Sequence, residues 1–218
     1  MLKLAGLDVA IGAVQVLRGI SLEVPTGAMA GLIGRNGAGK TTLMRSIMGL
    51  LAPAAGSIEF DGENLLAMPT HHRTSHGIGY MPEDRRLIPE LTVEENLLLP
   101  AWAMRVADPA GRLASIYQHI PELRRFAASK ALQLSGGQQK LVALGRAMMA
   151  GTRLLLLDEP FEGVAPALAQ RLAEVIALLK SEGLSVMLSE SDFQHSARLV
   201  DRVFTIDRGV LTEGAHDV

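Results

Sequence analysis

Nine consecutive residues, Gly34-Arg35-Asn36-Gly37-Ala38-Gly39-Lys40-Thr41-Thr42, carry the clearest chemistry in this chain. They fit glycine, four residues, then Gly-Lys-Ser/Thr, the spacing of a loop that cradles phosphate. The glycines let the backbone curl so that successive N–H groups point into one anion-sized hollow. A helix starting at the loop adds the positive end of its dipole. The single ammonium of the loop, Lys40, is placed to neutralise β and γ phosphates, and the Thr41 hydroxyl to ligate Mg²⁺.

Two further stretches extend that chemistry. Leu154 to Leu157 is an apolar run that ends in Asp158-Glu159. Carboxylates at the carboxyl end of a central strand lie where ligands bind in α/β sheets. Asp158 can hold Mg²⁺ through a water, and Glu159 is then placed to polarise an attacking water or accept its proton. In Leu134-Ser135-Gly136-Gly137-Gln138 the serine and paired glycines precede an apolar helical run over 141–150. They therefore sit at a helix N-terminus, a second anion site. One nucleotide rarely needs two such sites in one fold. The simplest account is that the second one caps a γ-phosphate bound by another subunit.

These groups need a frame. The apolar run over 28–33 reads as a buried strand leading into the loop, and a helix is expected over 42–48. Residues 2–9 and 15–24 read as strands, 57–62 alternates and closes in an Asp61-Gly62 turn, and 78–81 is a short apolar strand. From about 90 to 131 the pattern turns helical and more polar, broken at Pro100, Pro109 and Pro121, which predicts an inserted helical lobe. Residues 154–157 have no polar face, as expected of a central parallel strand. Over 166–183, Leu168, Leu172, Val175, Ile176 and Leu179 share one helical face, with Gly183 placed to cap the end. A buried strand follows over 184–188, then a hairpin of 203–207 and 210–213 around Arg208-Gly209. Strands alternating with helices predict an α/β fold with a parallel sheet. The early and late strands are expected to form a largely antiparallel outer sheet.

Composition sets bounds on partners. A chain of 218 residues has room for one sizeable core and one inserted lobe. With 48% hydrophobic and 20% charged residues, disorder is excluded. A formal net charge of −2 gives no electrostatic reason to expect nucleic acid, and none is expected as a partner. The absence of cysteine rules out disulfide and thiolate chemistry. No apolar run approaches the length that spans a bilayer, and the first residues lack the regions of a signal peptide. The expectation is a cytoplasmic protein that meets a membrane only through a partner.

Taken in order, Gly34 to Thr42, Leu134 to Gln138 and Leu154 to Glu159 resemble the Walker A, signature and Walker B motifs of ABC-transporter ATPase subunits, over nearly the whole chain. The resemblance implies a P-loop NTPase (RecA-like) core with an outer antiparallel β subdomain and an inserted helical subdomain. It implies a single domain over 1–218, with the helical insertion at about 84–150. ATP and Mg²⁺ are the implied ligands. Gly34, Arg35, Asn36, Gly37, Ala38, Gly39, Lys40, Thr41 and Thr42 would hold the nucleotide, Thr41 and Asp158 the metal, with Glu159 the catalytic carboxylate. The family works as a head-to-tail pair, hetero- or homodimeric. ATP lies between Walker A of one subunit and Ser135, Gly136, Gly137 and Gln138 of the other. Hydrolysis drives a membrane permease, which implies a chain peripheral on the inner face of the cell membrane, with a periplasmic binding protein as an indirect partner.

The stretch from Ile78 to Leu97, with Gly163-Val164-Ala165-Pro166, is similar to the LivF-type ATPase of branched-chain amino acid importers. The ATPases of urea and short-chain amide importers are near relatives of that group. Three positions depart from the general pattern. Ile11 stands where an aromatic ring stacks on adenine, and an aliphatic side chain covers a base without the stacking electrostatics of a ring. Glu83 stands where glutamine is usual; it can ligate Mg²⁺ but adds negative charge. The LivF type commonly carries Glu at that place. Ser191 stands where a switch histidine is expected; serine is shorter and carries no charge. His195, expected one helical turn further on, is the first substitute to consider.

These departures leave open a second reading, a regulatory ATP-binding subunit that lends its signature to a partner; a third is a soluble ABC ATPase without a permease. Elsewhere, His72 and His76 have the spacing of a helical metal pair, but no acid or cysteine completes a ligand set with His71, so a solvated helix is expected. Arg85 and Arg86 read as surface charges. Trp102 and Met104 fit either a permease contact or the core of the lobe.

Overall fold

The computed structural model describes residues 1–192 and 194–214. Strands β1 (Leu2–Ile11), β2 (Val14–Val24), β4 (Ala55–Phe60) and β5 (Glu63–Asn64) form an antiparallel sheet in the order β2-β1-β4-β5. The alternation of β1 turns Leu2 and Leu4 inward; a register shift between Leu4 and Leu7 lets Leu7 and Val9 follow on the same side.

The second sheet is six-stranded. It holds β3 (Met29–Ile33), β6 (Ile78–Met81), β7 (Leu154–Leu157), β8 (Ser185–Glu190), β9 (Arg202–Asp207) and β10 (Val210–Gly214), in the order β10-β9-β3-β8-β7-β6. Every pairing is parallel except β9 with β10. Strands β7 and β8 are buried along their whole length, which is why β7 lacks a polar face and β8 is polar only at its ends. This sheet corrects one expectation. The late hairpin does not join the outer sheet; β9 pairs in parallel with β3 and extends the central one. Sequence alternation describes the faces of a strand and carries no information about which neighbour it takes.

Seven α-helices are present among the described residues: α1 (Lys40–Ile47), α2 (His72–Ser75), α3 (Val93–Met104), α4 (Pro109–His119), α5 (Glu122–Arg125), α6 (Gly136–Ala150) and α7 (Pro166–Ser181). Helix α1 begins two residues earlier than periodicity suggests, because Lys40 and Thr41 belong to its first turn. Four of the helices, α3 to α6, lie in the chain between the adjacent parallel strands β6 and β7. Helix α3 starts on a reciprocal cap, Thr92 Oγ accepting from the Glu95 amide at 3.2 Å and Glu95 accepting from the Thr92 amide at 2.7 Å. Helix α7 has Pro166 in its first turn and Gly183 at φ +88° beyond its end, an entry and exit chosen by backbone preference.

Two apolar cores result. One packs α3, α6 and α7 against one face of the six-stranded sheet. The other fills the space between the two sheets around α1. The ends of β3, β7 and β8 emerge between them at one rim of the molecule, where the chemistry-bearing residues gather.

Candidate active site

The phosphate-type loop runs from β3 into α1. Gly34 must be glycine: a Cβ there would lie 2.3 Å from the Ile206 carbonyl oxygen on β9. The β9–β10 turn presses on the loop from the other side, with the Gly209 amide donating to Ala38 O at 3.0 Å. Lys40 is buried at the start of α1. Its ammonium donates to the carbonyls of Gly34 and Arg35 and pairs with Glu159 Oε1 at 2.9 Å. All three of its donors are thereby engaged, and Lys40 and Glu159 share one small cleft with Asn36, Gly37, Thr41, Thr42 and Glu83.

The acids at the end of β7 meet this cleft. Asp158 is fully buried. It accepts hydrogen bonds from Ser189 Oγ at 2.8 Å and Tyr80 Oη at 3.3 Å, and from the Thr41 hydroxyl. Burial pushes its carboxyl up from the ordinary value, against those hydrogen bonds, and the Glu159 charge adds to the rise. Glu83, just beyond β6, is raised for the same first reason, with Glu162, Asp158 and Glu159 as the neighbouring negative charges. Thr41, Asp158 and Glu83 also share the wall of a neighbouring cleft with Tyr80 and Arg45. A hydroxyl and two carboxylates, one of them buried and raised by that burial, form a hard-oxygen donor set that suits Mg²⁺.

Glu159 occupies a left-handed backbone conformation at φ +49°, a costly one for a side-chain-bearing residue. Its amide donates to Ser189 Oγ at 3.0 Å. Its carboxylate lies 2.9 Å from Lys40 Nζ and 2.9 Å from Ser191 Oγ. Ser191 Oγ is also 2.8 Å from Asn36 Oδ1 of the loop. One hydroxyl proton cannot serve both oxygens. With the Asn36 amide turned so that its nitrogen donates to Ser191, the serine proton is free for Glu159. Thus Ser191, short as it is, links the loop to the carboxylate directly. His195 does not stand on a helix: the segment after β8 is bent, and the His195 ring packs on Phe161 at 5.2 Å between centroids. His195 lines the same cleft as Glu159, Glu190 and Ser191.

The remaining candidates lie apart from this cluster. Ser135 caps α6 by accepting from the Gln138 amide at 3.3 Å, while Gln138 Oε1 accepts from the Ser135 amide at 2.9 Å. Ser135 and Gly136 are exposed, and Gly137 is pressed against α7, where a Cβ would meet Leu168 Cδ2 at 2.4 Å. None of these four residues lines the clefts that hold Lys40 and Glu159. Ile11 ends β1 opposite Val14, both exposed, and is likewise outside those clefts.

Other expectations change. Arg85 is more than a surface charge: it donates to Gly136 O at 3.2 Å and Gln139 Oε1 at 3.1 Å, and Arg146 of α6 returns hydrogen bonds to the carbonyls of Arg85 and Arg86. The loop carrying Glu83 is therefore tied to the start of α6. Trp102 is 52% exposed and so is not part of a lobe core. His76 pairs with Glu63 at 3.3 Å, and no metal-binding cluster forms among the described residues.

Sequence reasoning missed Tyr80, Ser189, Glu190 and Lys140. Ser189 and Glu190 are polar residues closing a buried strand, the signal that had singled out Asp158 and Glu159. Glu190 is buried, accepts from Ser196 Oγ, and is pushed by burial up to about 7. A carboxyl raised in the folded state favours folding below its unfolded value near 4.5. That contribution is lost as pH rises through 7, by about 3 kcal/mol in all. Urea unfolding at pH 5 and pH 8 is expected to show this loss in the wild type and a smaller one in Glu190→Gln. Equal pH dependence in both would remove Glu190 as its source.

Comparison with known proteins follows the same lines. The family model described as ABC transporter matches residues 17–162. The chain is 36% identical over 209 residues to the high-affinity branched-chain amino acid transport ATP-binding protein BraG of Pseudomonas aeruginosa, covering 96% of this chain and 90% of that one. It is 32% identical over 197 residues to the lipopolysaccharide export system ATP-binding protein LptB of Haemophilus influenzae, covering 89% and 82%. The fold matches the dimeric structure of MJ0796, a bacterial ABC transporter cassette, with a TM-score of 0.87 at 25% identity over 98% of each chain.

Proposed function

The chain belongs to the ABC transporter family as an ATP-hydrolysing subunit, and from that premise we propose that it powers uptake of branched-chain amino acids or related small polar solutes. The observation that carries the solute class is the 36% identity to BraG across 96% of the chain. The likeness to LptB supports the ATPase without favouring amino acids.

In this reading the residues divide the work as follows. The amides of Gly34 to Thr42 and the Lys40 ammonium bind the phosphates of ATP. Thr41, Asp158 and Glu83 would hold Mg²⁺, which when bound neutralises charge on the β and γ phosphates. Glu159 polarises the attacking water and takes up its proton, with Ser191 and Lys40 holding the carboxylate in place. Ser135, Gly136, Gly137 and Gln138, displayed away from this cluster, complete the site of a second ATPase subunit. The helical segment from about 84 to 150 is the subdomain that presents them. Ile11 covers one face of adenine. The partners are that second subunit and a permease, which places the chain on the inner face of the membrane. No helix among the described residues is long and apolar enough to cross a membrane itself.

The test is a detergent pull-down from the host, followed by reconstitution of the captured permease and its binding protein. ATP-driven accumulation of labelled leucine, isoleucine or valine is expected, above that of urea or acetamide. Capture of a lipopolysaccharide-handling assembly, or ATP-driven uptake of an amide and not of amino acids, would overturn the solute assignment.

A further inference from the structure

The signature helix reaches the backbone of Glu159 through Lys140. Lys140 lies five positions beyond the cap Ser135 on α6 and is only 5% exposed. Its ammonium donates to the main-chain carbonyl of Glu159 at 2.6 Å. A lysine buried in this way is costly, and burial lowers its pKa from the ordinary value. Opposing that cost are the charges of Glu162, Glu159 and Glu83, while Arg85 adds to it.

The carbonyl it holds belongs to a strained residue. Glu159 sits at φ +49°, and such a conformation persists only where its surroundings over-determine it. Its amide is fixed by Ser189, and its carbonyl by Lys140 and the Glu162 amide at 3.3 Å. One side-chain oxygen, Oε1, is held by both Lys40 and Ser191. Ser189 comes from β8 and Lys140 from α6, so two elements clamp the peptide on either side of the Glu159 Cα. Without the α6 clamp, the carbonyl keeps only the longer bond from the Glu162 amide, and a small relaxation of the backbone angles turns the carboxylate. A misplacement of about 1 Å at a reacting group can cost 10²-fold in rate.

We propose that Lys140 is a positioning residue for Glu159: by holding the Glu159 carbonyl it sets the carboxylate's direction and joins this chain's own site to the signature presented to the partner's. The proposal rests on the reading of Glu159 as the group that activates water. Ser135 and Lys140 ride on the same helix, so a shift of α6 that moves the signature against a partner's nucleotide also moves the clamp on Glu159. The two sites of a pair are then joined through a single rigid element, with no contact between their nucleotides.

The experiment compares Lys140→Met, Lys140→Leu and Lys140→Arg with Glu159→Gln in the assembled transporter, measuring kcat, KM and Kd for ATP, and Tm. The turnover removed by Glu159→Gln defines the share of this chain's own site. Lys140→Met is expected to lower that share about tenfold or more, with Kd for ATP changed less than about threefold. Its Tm should hold or rise, because replacing a buried charge by an apolar side chain is often neutral or stabilising. Lys140→Leu provides the same comparison if Lys140→Met fails to fold. Lys140→Arg, which restores a donor and a charge, should recover part of kcat. A wild-type kcat in Lys140→Met or Lys140→Leu overturns the proposal while leaving Glu159 in its role. So does a parallel fall in kcat and ATP affinity, which marks general damage to the site. Full turnover in Glu159→Gln overturns the reading of Glu159 and the proposal with it.

Discussion

Lys40→Ala is expected to weaken ATP binding by about 10²-fold or more, measured by direct titration. The ammonium is the one lysine charge of the loop, and it is buried at the start of α1 beside the loop's own carbonyls. Hydrogen bonds to charged groups contribute about 1.5–3 kcal/mol each, and about 3 kcal/mol corresponds to roughly 10²-fold in affinity. The variant also strips Glu159 of its charged partner at 2.9 Å, so some loss of stability is expected alongside. A Lys40→Met variant also lacks the charge but fills the space of the stem, so it limits the loss of packing while removing the same phosphate contact. If either variant folds and binds ATP with wild-type affinity, the loop is not the phosphate site.

Glu159→Gln should leave binding largely intact and lower turnover by about 10²–10³-fold at the site it serves. Glutamine keeps an oxygen for Lys40 and Ser191 to donate to, so the hydrogen bonds that shape the cleft survive. What is lost is the charge that polarises water and accepts its proton. The position of Ser191 bears on how large the effect is. Read as a truncated switch residue, it left open a weak site whose main service was to a partner. The geometry places its hydroxyl 2.9 Å from Glu159 and 2.8 Å from Asn36, so the position still links loop and carboxylate. The comparison that decides the balance is with Ser135→Arg, which blocks the partner's site instead. A dominant effect of Glu159→Gln on ATPase assigns the main turnover to this chain's own site. A mild effect beside a severe one from Ser135→Arg assigns it to the partner's.

The groups that sequence alone located are those whose geometry is local. The loop from Gly34 to Thr42 creates its own anion hollow because glycine conformations and a helix start are set within a few residues. The same holds for Ser135, which caps its helix by bonding to a residue three positions on. Asp158 and Glu159 could be placed at a strand's carboxyl end because the four leucines before them fit only a buried strand. What tertiary structure decided depends on residues far apart in the chain. The late hairpin joins the central sheet because β9 pairs with β3, about 170 residues earlier, and periodicity carries no partner information. Ser189 can bridge Asp158 and Glu159 only because β8 lies next to β7 in register. Arg85 acquires a role from the approach of α6, and Lys140 from the return of the chain at Glu159. Hydrogen bonds of this kind act within about 3 Å, whereas one residue of strand spans more than that, so only the packed fold fixes which polar side chains meet.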